Sequence, residues 1–508
     1  MFAFAAPHGF RRTVCGCFQL ILGLGLSVAG AAAGSDLEDM ERALAHEAAL
    51  AEQKDPGVNV PAPTGAKLLP TDVDNDGMDD VWELANDFSP LDPTDAWLDP
   101  DGDQVVNLFE YQLGSAPDIA ASPQTLLVGV DVVADFATLQ EALNNVADGT
   151  CIRVSGNHTV NFLIFEALSV MIQGGWNSVF TARNLSASPT VISGTGSDGI
   201  FHFSFEDGAP RVILDGLVLQ NGNGGFGTVV VIGRGTASVK TSIVDCEFVA
   251  TFGQSAVLTL NNWDDSEGDH TVANTMLVGN TGTAIKSQTT DNAVSRHRYA
   301  SVTVSAQTPN TSKASDGDGF DAFTLDEAAA DVLITSSIFW GNSGADLSLS
   351  GAGLTTRSDF SHIDEVNLTL GTSYTPGQIS EDDPLLVDPD NGDGHLSSNS
   401  PCINAGENES SPTHDFEGEP RQGRFDIGAD EFSGGGEGEG EGEGEGEGEG
   451  EGEGEGEGDP RKDDLPPFFK PICGAGSGDS HAPWGDALLL AALGLFLARS
   501  LRIRLRSE

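Results

Sequence analysis

The chain has 508 residues, 64 of them glycine, with 24 Lys plus Arg against 78 Asp plus Glu and a formal net charge of -54. So strong an acidic balance makes nucleic acid and anionic membrane surfaces poor partners and divalent cations good ones. Length alone admits two or three domains.

Residues 1–33 read as an export signal: Arg11 and Arg12 precede an apolar run from Val14 to Ala31, and Ala31, Ala32 and Ala33 offer small residues for cleavage near Gly34. An uncleaved membrane anchor is the alternative. Cleavage there removes Cys15 and Cys17 and leaves Cys151, Cys246, Cys402 and Cys473. Cys246 alternates with apolar neighbours in IVDCEFV, which predicts a buried small hydrophobe. Cys151 and Cys402 stand near opposite ends of the main domain, whereas a disulfide needs its Cα atoms within about 7 Å. Residues 34–69 give a helix from Ser35 to Lys54, with Ser35 as N-cap and Glu38 three residues on, followed by Pro56 and a Pro-rich linker.

Residues 70–118 carry the sharpest chemical signal. In DVDNDGMDDVWE, side-chain oxygens fall at Asp72, Asp74 and Asp76, glycine follows at Gly77, Met78 offers its carbonyl, Asp80 a water-mediated contact and Glu83 a bidentate carboxylate. That is a full twelve-residue calcium loop. Carboxylates so crowded repel one another until a cation neutralises them, so folding and Ca2+ binding are expected to be coupled. A second copy follows as DPDGDQVVNLFE, with Asp99, Asp101, Asp103, the Val105 carbonyl, Asn107 and Glu110; here Gln104 replaces the turn glycine and either weakens the site or forces its backbone to adjust. VWELAND and NLFEYQLG predict short helices, with Trp82, Leu84, Phe88, Trp97, Leu108, Phe109 and Tyr111 as a small core. The pair resembles the dockerin-like and thrombospondin type 3-like calcium modules of bacterial surface proteins, and is read as a structural spacer.

Residues 126–432 form the main domain, and within them the stretch Thr190 to Asn342 repeats a short β-branched run that ends in a polar or Gly-rich corner. RVILDGLVLQNG, VKTSIVDCEFVATF, TVANTMLVGNTG and VLITSSIFWGNSG align so that Asn221, Thr251, Asn280 and Asn342 coincide at steps of about 30 residues, the last step about twice that. Such spacing suits one coil of a wound parallel sheet, whose turns bury their apolar sides only against neighbours. Thr138 and Glu141 form a capping box on a helix in FATLQEAL that is placed to cover the open first coil. FSHIDEVNLTLG adds a rung near the end. TLQEAL, GGWNSVFTARNLSASPTVISG, DPLLVDPDNGDGHLSSNSPCINAGE and RQGRFDIGADEF together resemble the right-handed parallel β-helix superfamily that includes pectate lyases, and more closely its bacterial surface subgroup with variable anchors. The resemblance implies an all-β, right-handed parallel β-helix, with DIGADE as its last strand and turn and Asp426 and Glu431 exposed or in caps. Asp388, Asp390 and Asp393 form either another calcium site or a plain loop.

The resemblance also poses the question of catalysis. Polygalacturonase-like enzymes place several carboxylates on adjacent coils beside a His and a base; no NTD, GHG or RIK occurs, and Asp264-Asp265 falls in an insertion. A lyase set would draw on Asp215 and Asp245 with Arg211 and Arg234, although Asp at a corner more often binds backbone amides. His202 reads as a packed rung residue, and exposed Trp176 or Trp340 would suit sugar. The leading reading is a non-catalytic protein for adhesion or glycan contact. A calcium-assisted polysaccharide lyase or glycoside hydrolase, and a structural surface protein, are the alternatives.

Residues 433–470 are a Gly/Glu spacer, with Glu at every second position from Glu437 to Glu457, that like-charge repulsion and glycine entropy keep open. In 471–508 the motif Ile472-Cys473-Gly474-Ala475-Gly476 precedes an apolar run from Ala487 to Ala498, shorter than the ~20 residues that span a bilayer comfortably, and then Arg499, Arg502, Arg504 and Arg506. This tail is similar to C-terminal sorting signals of Gram-negative bacteria. The resemblance implies a sorting protease as partner, Cys473 as the processing or lipid-attachment residue, and delivery to the cell surface, outer membrane or medium. A plain tail anchor in the inner membrane is the alternative.

Overall fold

The computed structural model describes residues 71–433 apart from 121–122, 131–132, 166–167, 197, 224–226, 310–316, 370 and 409–410. The expected 35–54 helix, both terminal apolar runs, the Gly/Glu spacer and Cys473 lie outside the described residues. No helix among the described residues is long and apolar enough to cross a membrane.

Three sheets wind around one core. Sheet A has ten strands, from Thr125–Val128 to Ser373–Pro376; sheet B has nine, from Asn157–Val160 to Ile379–Ser380; sheet C has eight, from Leu163–Phe165 to Val366–Leu368. The chain visits A, B and C in turn, as in Ser238–Val244, Glu247–Val249 and Phe252–Asn262, and each of these pairs in parallel with its counterpart one coil on. The chain is a parallel β-helix. Inside sheet A, Ile172, Leu214, Ile243, Val272, Tyr299 and Ile334 lie in register and fully buried, so every coil closes the apolar edge of the next.

The corners explain the repeat. Between sheets A and B one residue per coil takes a left-handed φ: Gly216, Asp245, Asn274, Ser301, Ser336 and Phe360. Between B and C the same happens at Asn221, Ala250, Gly279, Ala306 and Gly341. Directly after that second corner, Thr251, Asn280, Gln307 and Asn342 form a polar ladder: Asn280 Oδ1 accepts from Thr251 N at 2.9 Å and its Oγ1 at 2.8 Å, and Asn342 Oδ1 accepts from Gln307 N at 3.2 Å. The expected alignment of Thr251, Asn280 and Asn342 is therefore present, with Gln307 as the rung inside the double step. Asn221 is not part of it; the Gln220 to Val249 register sets Asn221 beside Ala250, one place earlier.

The helix Leu139–Leu143 has Thr138 Oγ1 accepting from Glu141 N at 3.3 Å, and it buries Leu139, Ala142 and Leu143 in the core at the first coils. FSHIDEVNLTLG supplies the strands Ser361–Ile363 and Val366–Leu368 of a full rung. Cys151, Cys246 and Cys402 are free and buried, and burial pushes the Cys151 and Cys402 thiols up to about 12.

Two further layers cover the coils from outside. The outer face of sheet A is apolar in part: Cys151, Met171, Ile213, Val244, Ala273 and Ala300 pack under Met78, Ala96, Trp97, Val105, Leu108 and Phe109 of the 70–118 module. Rather than standing off as a spacer, that module is seated on sheet A. Residues 381–432 fold back over sheet B, where Phe416 and Ala429 meet Met276 and Val278, and Leu396, Cys402 and Ile427 meet Ile338. DIGADE is thus neither strand nor final rung. Asp426 and Glu431 are buried there and bind backbone amides: Asp426 accepts from Asn404 and Phe432 at 2.6 and 2.7 Å, and Glu431 from Gln422 and Asp426, both at 2.9 Å. Arg421 completes the staple, reaching Glu431 at 3.2 Å and Asn274 Oδ1 at 2.8 Å. Gly428, at φ +106, lies so close to sheet B that a Cβ would stand 2.8 Å from Ile338 and Thr303.

Candidate metal centre

The two acidic loops fold as paired turns, each followed by a short helix, Asp80–Ala85 and Asn107–Leu113. Within each loop short side chains bind amides two residues ahead, as Asp and Asn do in tight turns. Asp76 Oδ1 accepts from Met78 N at 2.7 Å, and Asp103 Oδ1 from Val105 N at 2.9 Å. Positive φ falls at Asn75 and Gly77 in the first loop and at the matching Gly102 and Gln104 in the second. Gln104 therefore keeps the glycine conformation of its place and does not remodel the turn.

The first loop brings Asp72, Asp74 and Asp76 together, with oxygens within 4.8 Å of one another, and Asp76 and Glu83 form a second group with Asp95. Asp72 Oδ1, Asp74 Oδ2, Asp76 Oδ2, Asp95 Oδ1 and both Glu83 oxygens are buried without a hydrogen-bond partner. Buried carboxylates normally have partners, since an unpaired buried charge is costly. Burial, with nearby carboxylates adding to it, pushes Asp74 up to about 7, Asp76 to about 10 and Glu83 to about 9, and burial raises Asp95 to about 6. A divalent cation is the group that reverses such shifts, and an all-oxygen set suits Ca2+. Asp80 stands outside the converging carboxylates and accepts from Val73 N at 3.0 Å.

In the second loop Asp99, Asp101 and Asp103 converge, while Glu110, fully buried, has Oε2 unpartnered and is raised by burial to about 8. Asn107 keeps Oδ1 unpartnered and donates from Nδ2 to the Asp95 carbonyl at 2.8 Å. Asp95 is the residue that the twelve-residue template misses, because it lies between the loops. Of the expected small core, Trp97, Leu108 and Phe109 are buried, whereas Leu84 is exposed.

Both loops touch sheet A directly. Asp72 pairs with Arg298, and with Arg296 at 3.4 Å; Arg298 also pairs with Asp269 at 2.6 Å. Arg153 donates to the Asp103 carbonyl at 2.7 Å, Gln173 to the Gln104 carbonyl at 2.6 Å, and Ser242 to Gln112 at 2.9 Å. Gly77, at φ +106, sits where a Cβ would lie 2.9 Å from Leu108.

The lyase candidates are arranged differently. Asp215 pairs with Arg183 at 2.6 Å and accepts from Gln173 at 3.0 Å, and Asp245 takes His414 at 2.9 Å and Asn274 at 3.1 Å; both carboxylates are buried. Burial raises the Asp215 carboxyl. Arg211 serves nearby carbonyls and Arg234 stacks on Trp263, so neither meets those carboxylates. Trp176 is buried under Arg153 with its Nε1 bound to Gln173, which removes it as an exposed sugar platform. Trp340 is half-buried in a hollow of about 330 Å³ lined also by Asp383, Leu386, Pro389 and Asp390. Asp388 instead holds Asn391, and Asp393 pairs with His395, so Asp388, Asp390 and Asp393 do not converge. His395 lies between Asp393 at 2.7 Å and Glu417 at 3.3 Å, whose carboxylates hold its pKa up at about 10; both ring nitrogens are occupied as a buttress of the folded-back segment.

No family model and no curated protein matches the sequence. Among solved structures, the chain is similar to the crystal structure of pectate lyase Pel9A, with 12% sequence identity, a TM-score of 0.35, and coverage of 61% of this chain and 96% of that one.

Proposed function

We propose that this chain is an exported, surface-anchored β-helix protein that binds Ca2+ through both loops of its 70–118 module and contacts glycan without cleaving it. The observation that carries the non-catalytic reading is the sealing of Asp215 and Asp245: each is buried and its basic neighbour among the described residues, Arg183 or His414, is engaged in an ion pair with it. The calcium reading rests on the opposite pattern, in which carboxylate oxygens are buried and left without donors. The Trp340 hollow combines an indole with the Asp383 and Asp390 carboxylates, a pairing that favours the apolar face and hydroxyls of a neutral sugar over a uronate. Export, surface anchoring and the sorting protease are supported by the two terminal sequences alone.

The test is a panel of neutral and acidic polysaccharides incubated with the calcium-loaded protein. Retention on a neutral polysaccharide, weakened by Trp340→Ala and with no rise in ultraviolet absorbance from unsaturated sugars, supports the proposal. A sustained rise in that absorbance, or release of reducing ends, moves the protein to the lyase or hydrolase reading.

A further inference from the structure

The first calcium loop contains every ligand that its own sequence template calls for, yet the space in front of Glu83 is shared with a residue from elsewhere. Asp95 begins the 3-10 turn Asp95–Trp97, between the two loops, and offers a carboxylate oxygen within 4.8 Å of oxygens from Asp76 and Glu83. The residue is held at its side chain and at its main chain. Asp95 Oδ2 accepts from Ser89 N at 3.0 Å, and the Asp95 carbonyl accepts from Asn107 Nδ2 at 2.8 Å. The remaining oxygen, Oδ1, is buried and has no partner. Trp97 and Ala96, in the same turn, are packed against sheet A and hold the segment in place.

We infer that Asp95 is a direct ligand of the ion in the first loop, so that this site is closed by a residue of the inter-loop turn and differs in kind from the second. This inference rests on the calcium reading above and deepens it. Asp72, Asp74, Asp76, Glu83 and Asp95 give the first site five carboxylates, and calcium affinity rises with ligand charge and rigidity. The second site has Asp99, Asp101, Asp103 and Glu110, with a neutral Asn107 and a non-glycine residue at its turn. The first site is therefore the tighter one. Because the Asp95 main chain also carries the Asn107 amide, filling the first site steadies a ligand of the second.

Calorimetric titration of the metal-stripped full chain with calcium separates the possibilities. The expected result is two unequal sites in the wild-type chain, with Asp95→Asn weakening the tighter one by about tenfold or more. Asp92→Asn, an exposed carboxylate three residues away, leaves both unchanged. Asn at 95 retains an oxygen for Ser89 N, and circular dichroism at saturating calcium checks that the variant is folded. A calcium-loaded crystal of the wild-type chain gives a second readout, with Asp95 Oδ1 expected at about 2.3–2.6 Å from the first ion. Unaltered affinity in Asp95→Asn, or an ion that Asp95 does not touch, overturns the inference while leaving calcium binding intact. Failure of the wild-type chain to take up calcium overturns the calcium reading itself.

Discussion

Asp72, which opens the first acidic loop, forms an ion pair with Arg298, a residue of the sheet A strand Val294–Ala300. One carboxylate oxygen accepts from the guanidinium and the other is buried without a hydrogen-bond partner. A single side chain thus joins the proposed calcium site to the coil stack.

Arg298 is buried between Asp72 and Asp269, so Arg298→Met leaves these two carboxylates only their longer contacts, Arg296 at 3.4 Å for Asp72 and Lys240 at 4.0 Å for Asp269. Removing one partner of such a pair costs about 3 kcal/mol or more, read from urea denaturation midpoints in calcium. Arg357→Met is the comparison: its pair with Asp331 is exposed on both sides and is expected to cost under about 1 kcal/mol.

Gln104 adopts φ 73 at a position where the first loop has glycine. A side chain in the left-handed region costs roughly 1 kcal/mol, so Gln104→Gly stabilises the protein by about that amount and tightens the second calcium site by several-fold. Differential scanning calorimetry and calcium titration read the two effects.

How far these features were legible depends on where their partners lie. The coils, the Thr138 cap and both loops were readable because their signals are local: alternation, capping spacing and acidic spacing. The outer layers were not. VMIQGGW and RVILD are apolar at consecutive positions, a sign of burial on both faces, but nothing within them names the distant module that covers Met171 and Ile213. Gln307 escaped the alignment because glutamine does the work of asparagine there and the step from Gln307 to Asn342 is 35 residues, longer than the repeat. DIGADE was expected as a terminal strand only through the family resemblance; its carboxylates instead bind amides in a folded-back loop.

His270 and His297 stack inside the coils with centroids 4.8 Å apart. Burial lowers the His270 pKa to about 4 and holds His297 well below the usual value. An unfolded imidazole titrates near ~6.5, so between that pH and about 4 the unfolded chain binds protons that the folded chain refuses. Stability from this source is complete above the unfolded value and is lost as the pH falls through the window. Urea midpoints should drop across it in the wild-type chain and drop less steeply in His270→Gln.

The most direct test of calcium as the fastener of the module is amide hydrogen exchange with and without chelator. The account predicts that chelation releases protection across residues 71–113 while the sheet A strands Val170–Trp176 and Ser238–Val244 stay protected. Equal protection of 71–113 in both conditions would contradict it.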